Sequence, residues 1–180
     1  KGKKLGFLTA YNGIHYKVDE VMKATIEFLK KEGAEIVEIP SIYPPEVENY
    51  SFEVMLMEYR DGLNAYFASL DYYSPIKKLE DLIAFNKADS IELQYFNQLY
   101  LEMALEKEGM DSEIYQETLA KMLRGAREEG MDKVMDEYNL DAIIAPTSGP
   151  AWKTDYINGD SYHFGSSSPA AISGYPNITV

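Results

Sequence analysis

The apolar positions change period along the chain, and each change marks an element. Leu5 to Tyr11, LGFLTAY, is a short apolar run rich in strand formers, broken by Asn12-Gly13. Val18, Val21, Met22, Thr25 and Leu29 then recur at helical spacing and predict a helix over Lys17 to Glu32. Asp19 and Glu20 lie in its first turn and Lys30 and Lys31 in its last, the order the helix dipole favours, and Gly33 supplies the stop. Ala34 to Ile39, AEIVEI, reads as a second strand. Strand, helix and strand within residues 4–40 predict a right-handed βαβ unit with parallel strands.

Pro40 to Pro45 reads as a loop, and a helical layer is predicted over residues 45–138. From Glu46 the stripe Phe52, Met55, Leu56, Tyr59, Leu63, Tyr66, Phe67 and Leu70 keeps a helical period, and Gly62 weakens it by about 1 kcal/mol relative to alanine without breaking it. Ser74-Pro75 are expected as N-cap and first residue of the next helix, with Ile76, Leu79, Leu82 and Ile83 on its buried face. Asp89 or Ser90 is expected to cap a helix running to Glu108, stopped by Gly109. Asp111 or Ser112 is expected to cap a longer one that continues to Tyr138 with a kink at Gly130.

Residues 140–180 read as strand, loop, helix and strand. Leu140 to Thr147 is a buried strand ended by proline. Asn158-Gly159 turns a loop or hairpin over Lys153 to Phe164. Ser166 to Ser173 is a short helix, and Asn177 to Val180 begins a strand. The sum is an α/β fold, a layered, mixed β-sheet core flanked by helices, in one domain over residues 1–180.

Composition narrows the partners. The chain has 180 residues, 46% of them apolar, enough for a sizeable core. Its 15 tyrosines suit packing surfaces that need a polar tip. A net charge of -13, from 30 acidic and 17 basic residues, opposes binding to nucleic acid or an anionic membrane. It fits a cytoplasmic protein with solvated acidic faces. There is no cysteine, so thiolate chemistry and disulfides are excluded within the chain. No apolar run of about 18 residues occurs. The chain starts at Lys1 without an initiator Met and runs straight into a strand, so both ends read as cut and a fragment is expected.

The residues themselves point to little chemistry. His15 and His163 lack HxH or HExxH spacing, so no metal site is expected. His163 is close in sequence to Ser166, but triads join distant segments, and no G-x-S-x-G elbow is present. Pairs such as Asp132 and Asp136 read as solvated helix faces. The turn Tyr11-Asn12-Gly13 is too poor in glycine to cradle a phosphate, and no cofactor is expected. Ser166, Ser167 or Ser168 is expected to cap the helix that Pro169 opens, while Ala170, Ala171 and Gly174 allow close packing. Such a helix start also presents N–H donors, so capping is compatible with lining a pocket.

LDAIIAPTSGPAW, Leu140 to Trp152, is followed after a turn by SSSPAAISGYPNITV, Ser166 to Val180. Together they resemble the C-terminal half of the amidase signature family, whose pattern runs "DA-apolar-apolar-x-P-T" and then "P-A-A-x-x-G-x-P-x-x-x-V". KGKKLGFLTAY and GAEIVEI resemble the segment after that family's catalytic half. EYRDGLNAYFASL, IKKLEDLIAFN and YFNQLYLE resemble its intervening helices. The resemblance spans nearly the whole chain and implies a partial amidase-signature fold.

It also implies hydrolysis of carbon–nitrogen amide bonds by a Ser–cisSer–Lys mechanism. A lysine deprotonates a bridging serine, which activates the nucleophile, and backbone N–H groups hold the oxyanion. The Gly/Ser-rich signature and its lysine do not occur here, and Lys1, Lys3 and Lys4 do not match that lysine. No catalytic residue is carried over, and the fragment alone is expected to be inactive. The resemblance places Ser166, Ser167, Ser168 and Ala171 on the acyl side of a substrate pocket, with Thr147 and Trp152 near its rim. His163-Phe164-Gly165-Ser166 stands where glutamine-using relatives tend to carry an acid, which favours a general amidase. The implied partner is a small-molecule amide in the full-length enzyme, with self-association through the face that truncation exposes. A self-standing α/β small-molecule-binding module and an interaction role for the tyrosine-striped helices stay open beside it.

Overall fold

The computed structural model describes residues 1–70 and 73–180. The chain forms two compact units, one of residues 1–47 and 123–180, the other of residues 48–122.

The first unit is built on a sheet of β1 (Lys4–Leu8), β2 (Glu35–Ile39) and β3 (Ala142–Ile144), in the order β2-β1-β3. Both pairings are parallel, with Leu5 opposite Ile36 on one side and Ala142 on the other. Parallel neighbours need a crossover, and α1 (Tyr16–Lys31) supplies the one between β1 and β2. Phe7, Leu8 and Ile39 are buried, and Ile39 packs with Leu8 and Ile42 inside a shell that includes Tyr43, Met131 and Val134. Gly6 is required by a close approach: a Cβ there would stand 2.6 Å from Leu140 Cδ1 and 3.2 Å from Ile39 Cδ1.

The helix predicted after β1 is present, but its buried side differs from the expected stripe. Val18, Met22, Ile26 and Leu29 are half-buried, whereas Val21 and Phe28 are exposed. The N–H of Gly13 donates to Asp19 Oδ1 at 3.1 Å, and Gly33 turns the chain out of α1 at φ +88°.

In the second unit lie most of α2 (Glu46–Ser69), all of α3 (Leu79–Ala88) and α4 (Leu99–Leu105), and most of α5 (Glu113–Ala126). Its core is Leu56, Leu79, Ile83 and Ala104, with Phe52, Leu63 and Leu101 around them. Ser112 caps α5 as expected, its Oγ accepting from the Tyr115 N–H at 3.2 Å. The Tyr115 hydroxyl donates to Glu58 at 2.7 Å, and that bond, with burial, pushes the phenol up to about 12.

Two expected helix starts are corrected. Ser74-Pro75 open no helix: the Ser74 hydroxyl donates to the Ile76 carbonyl, and α3 begins at Leu79. Asn64 decides this start, because its Oδ1 accepts the Leu79 N–H at 2.8 Å and so does from a distance what a local cap would do. Asp89 does not begin a helix to Glu108 either. Its Oδ1 accepts the N–H groups of Ile91 and Glu92, a local turn that delays α4 to Leu99.

After α5 the helix widens into one π turn, Arg127–Met131, and resumes as α6 (Asp132–Tyr138). The irregularity expected at Gly130 is therefore an expanded turn. Asn139, at φ 51°, ends α6.

Asp141 then ties β3 to β1. Its N–H donates to the Lys4 carbonyl at 2.7 Å, while its carboxylate accepts from the Lys4 N–H at 2.8 Å and from Lys3 Nζ at 2.6 Å. The Lys3 hydrogen bond and then the Lys4 N–H hold this carboxyl below the ordinary aspartate range. A depressed folded-state value stabilises the fold above the unfolded value, about 3.9, and that support is lost as the pH falls through the folded value. In Asp141→Asn, the urea midpoint is expected to vary less with pH below about 4 than in the unsubstituted chain. Identical acid limbs for the two proteins would remove Asp141 from the account.

The strand expected over Asn177 to Val180 is not formed. A strand needs a neighbour's N–H and C=O groups, and among the described residues this segment is joined only through Thr179 Oγ1, 3.3 Å from Thr147 Oγ1. Among the described residues no helix is long and apolar enough to cross a membrane.

Candidate functional site

Thr147 stands at the hinge of the candidate site, just past β3 and Pro146. Ser148 and Gly165 form an isolated antiparallel bridge. The Gly149 N–H donates to the Phe164 carbonyl and the Ser166 N–H to the Thr147 carbonyl, both at 3.1 Å. These bonds close residues 150–164 into a loop whose ends meet, the geometry of an Ω-loop. Phe164 is buried at its base and stacks on Tyr11 at 5.2 Å. Asp155 builds the tip, accepting from the N–H groups of Ile157 and Asn158 and from the Asn158 side chain, with Gly159 at φ +80°. The expected turn at Asn158-Gly159 is thus present without flanking strands.

α7 (Ser168–Ser173) follows the loop. Pro169 lies in its first turn, and Pro169, Ile172 and Ser173 are buried. The expected serine cap is corrected. Ser167 holds the N-cap position, but its side chain makes no capping bond. Its backbone is already helical, at φ -79° and ψ -21°, whereas a capping side chain works from an extended backbone. Ser166 Oγ instead donates to the Thr147 carbonyl at 3.3 Å.

The structure joins Thr147 to Ser166 by these two bonds and places Ser168 and Ala171 on α7, directly after Ser167. Ser167, Ala171 and Thr147 are exposed. Trp152 sits on the Ω-loop against Tyr162, ring centroids 5.7 Å apart and nearly perpendicular. His15 and His163 meet edge to face at 5.2 Å, and no cluster of three or more metal-ligating side chains occurs among the described residues. An open depression in the second unit is lined by residues 93–99 and Glu102. Glu102 is committed to Lys87, 2.8 Å away, which holds its carboxyl low, so the depression offers no free acid there.

The far end of α7 is held as firmly as its start. Gly174, at φ 73°, closes the helix with its N–H on the Ala170 carbonyl at 2.8 Å. Ser173 Oγ donates to the Pro169 carbonyl at 2.6 Å and accepts from the Tyr175 N–H at 3.3 Å. Arg127 Nε donates to the Ser173 carbonyl at 2.6 Å, and the Tyr175 hydroxyl donates to Asp132 at 2.7 Å.

This strand, loop and short helix can be compared with known proteins. A family model described as Amidase matches residues 1–179. The chain belongs to the amidase family. Its fold is that of solved amidase-signature enzymes. It is similar to the peptide amidase PAM in complex with the competitive inhibitor chymostatin, at a TM-score of 0.85 and 30% identity. It is likewise similar to the native peptide amidase from Stenotrophomonas maltophilia, at 0.77 and 30%. Each likeness covers 97% of this chain and 35% of the other, so the chain spans about a third of their length. An amidase family protein from Bacillus anthracis str. Ames shares the fold at a TM-score of 0.65 and 24% identity, over 81% of this chain and 28% of that one. No curated protein matches.

Sequence reasoning missed Arg127, Ser173 and Tyr175, and took Asp132 for a solvated face. One signal was available: the expected break at Gly130 lies between Arg127 and Asp132.

Proposed function

We propose that the protein to which this chain belongs hydrolyses carbon–nitrogen amide bonds, with this chain forming one wall of the substrate pocket. The amidase match over residues 1–179 carries the reading. In it the wall is Ser166, Ser167, Ser168 and Ala171, with Thr147 and Trp152 at the rim. The bonds between Ser166 and Thr147 support it, since they lock the loop base against the start of α7. The serine nucleophile, bridging serine and lysine base are supplied by sequence outside this chain. In support, Ser166 and Ser173 spend their hydroxyl protons on backbone carbonyls rather than on a base.

The substrate is a small molecule with an amide bond, and a peptide amide is the first to test, because the solved relatives are peptide amidases. The acidic charge supports a cytoplasmic setting away from polyanions. Exposed Val21 and Phe28 on α1 support self-association of the isolated chain. The test is ammonia release from peptide and simple amides. The isolated chain is expected to give the buffer rate, and the full-length protein to turn over at least one of them. Turnover by the isolated chain that Ser167→Ala abolishes would place the nucleophile here and refute the reading.

A further inference from the structure

The π turn at Arg127–Met131 has a geometric consequence for α7. In an α-helix, residues five apart point about 140° away from each other, at about 100° per residue. In a π turn the hydrogen bond runs to the fifth residue, so that residue lies one turn on and on the same side. This bond is present: the Asp132 N–H donates to the Arg127 carbonyl. Arg127 and Asp132 therefore reach the same target. Arg127 Nε holds the Ser173 carbonyl at 2.6 Å, and Asp132 holds the Tyr175 hydroxyl at 2.7 Å. The Arg127 guanidinium also lies 5.9 Å from the Tyr175 ring centroid. Between the two grips stands Gly174, where a Cβ would come within 3.2 Å of an Arg127 terminal nitrogen.

The geometry points to Arg127 and Asp132 as positioning residues, a two-pronged clamp that the π turn creates to fix α7 as the wall of the substrate pocket. The Ser173 carbonyl is one that a helix end leaves without an intrahelical donor, and a cation there also suits the helix dipole. The bonds of both side chains go to Ser173 and Tyr175, not to the exposed Ser167 or Ala171. They act through Ser173 and Tyr175, so their loss should change how well substrate is held more than how fast it reacts. A small displacement of a pocket wall is enough to weaken binding and orientation.

This inference rests on the amide-hydrolase reading, and two measurements separate the failures. In the full-length protein, Arg127→Met is expected to raise KM roughly tenfold and leave kcat within about threefold, with Arg127→Lys recovering part of the loss. A role confined to stability would lower the melting temperature and leave KM of the folded enzyme unchanged, and that result overturns the clamp. Should Arg127→Met not fold, Tyr175→Phe removes only the hydroxyl that Asp132 holds. Amide hydrogen exchange at Gly174 and Tyr175 is then expected to accelerate roughly tenfold over the unsubstituted protein, and an unchanged rate overturns the clamp. If the unsubstituted full-length protein cleaves no amide, the functional reading falls, while the exchange rates still decide the clamp.

Discussion

Gly130→Ala is expected to destabilise the first unit by about 2–3 kcal/mol, read as a lower urea midpoint at unchanged slope. The new Cβ would stand 2.5 Å from the Gly125 carbonyl oxygen, 2.8 Å from Tyr43 Cβ and 3.2 Å from the Ile42 carbonyl oxygen. Two of these are backbone atoms that no rotamer change can move. Helix propensity works the other way, since alanine is favoured over glycine by about 1 kcal/mol in a helix interior. The clash is the larger effect because it comes from several sides at once. Gly62→Ala in α2 isolates the propensity term: nothing lies within 4 Å of its Cβ, and the change is expected to stabilise by up to about 1 kcal/mol. Equal stability for Gly130→Ala and the unsubstituted chain would show that the π turn is not packed against Ile42 and Tyr43.

Leu56→Ala is expected to have the largest effect on the second unit, about 2–5 kcal/mol. Leu56 is fully buried with Leu79 and Ala104, and Phe52 and Leu63 close the cluster. The upper half of that range applies where the cavity wall cannot collapse, and Leu79 and Ala104 have no exposed surface through which to relax. Hydrogen exchange within α2, α3 and α4 gives a readout specific to this unit. Met55→Ala is the comparison, since Met55, next to Leu56 in sequence, is 45% exposed and its truncation should cost well under about 1 kcal/mol. Equal losses for the two substitutions would contradict this core.

The opening βαβ unit was legible because its apolar period changes twice within residues 4–40 and Asn12-Gly13 and Gly33 mark the breaks. The parallel pairing of β1 with β2 followed from that order. Helix starts were less legible, because the letters that favour a cap are local while the deciding bond was not. Ser74-Pro75 carry the right letters, yet Asn64 fixes α3 from 15 residues earlier in the chain. Asp89 and Ser166 show the same competition, since each side chain found a partner other than the predicted helix. The strand expected at Asn177 lacked a neighbour to pair with. In the site, Thr147 and Ser166 could be placed only through the resemblance, because a short helix of small residues looks alike in a core and in a pocket wall. The grips on α7 were invisible for a different reason. A period of 3.6 residues sets Arg127 and Asp132 on different faces, and only the π turn brings them together.

In the proposed function this chain is the pocket-wall part of an amide hydrolase whose nucleophile and base lie outside it. Ammonia release from a panel of peptide and simple amides, measured side by side for the full-length protein and for residues 1–180 alone, tests it most directly. Turnover by the full-length protein and the uncatalysed rate for the isolated chain are expected. Turnover by the isolated chain, or no amide cleaved by the full-length protein, would contradict it.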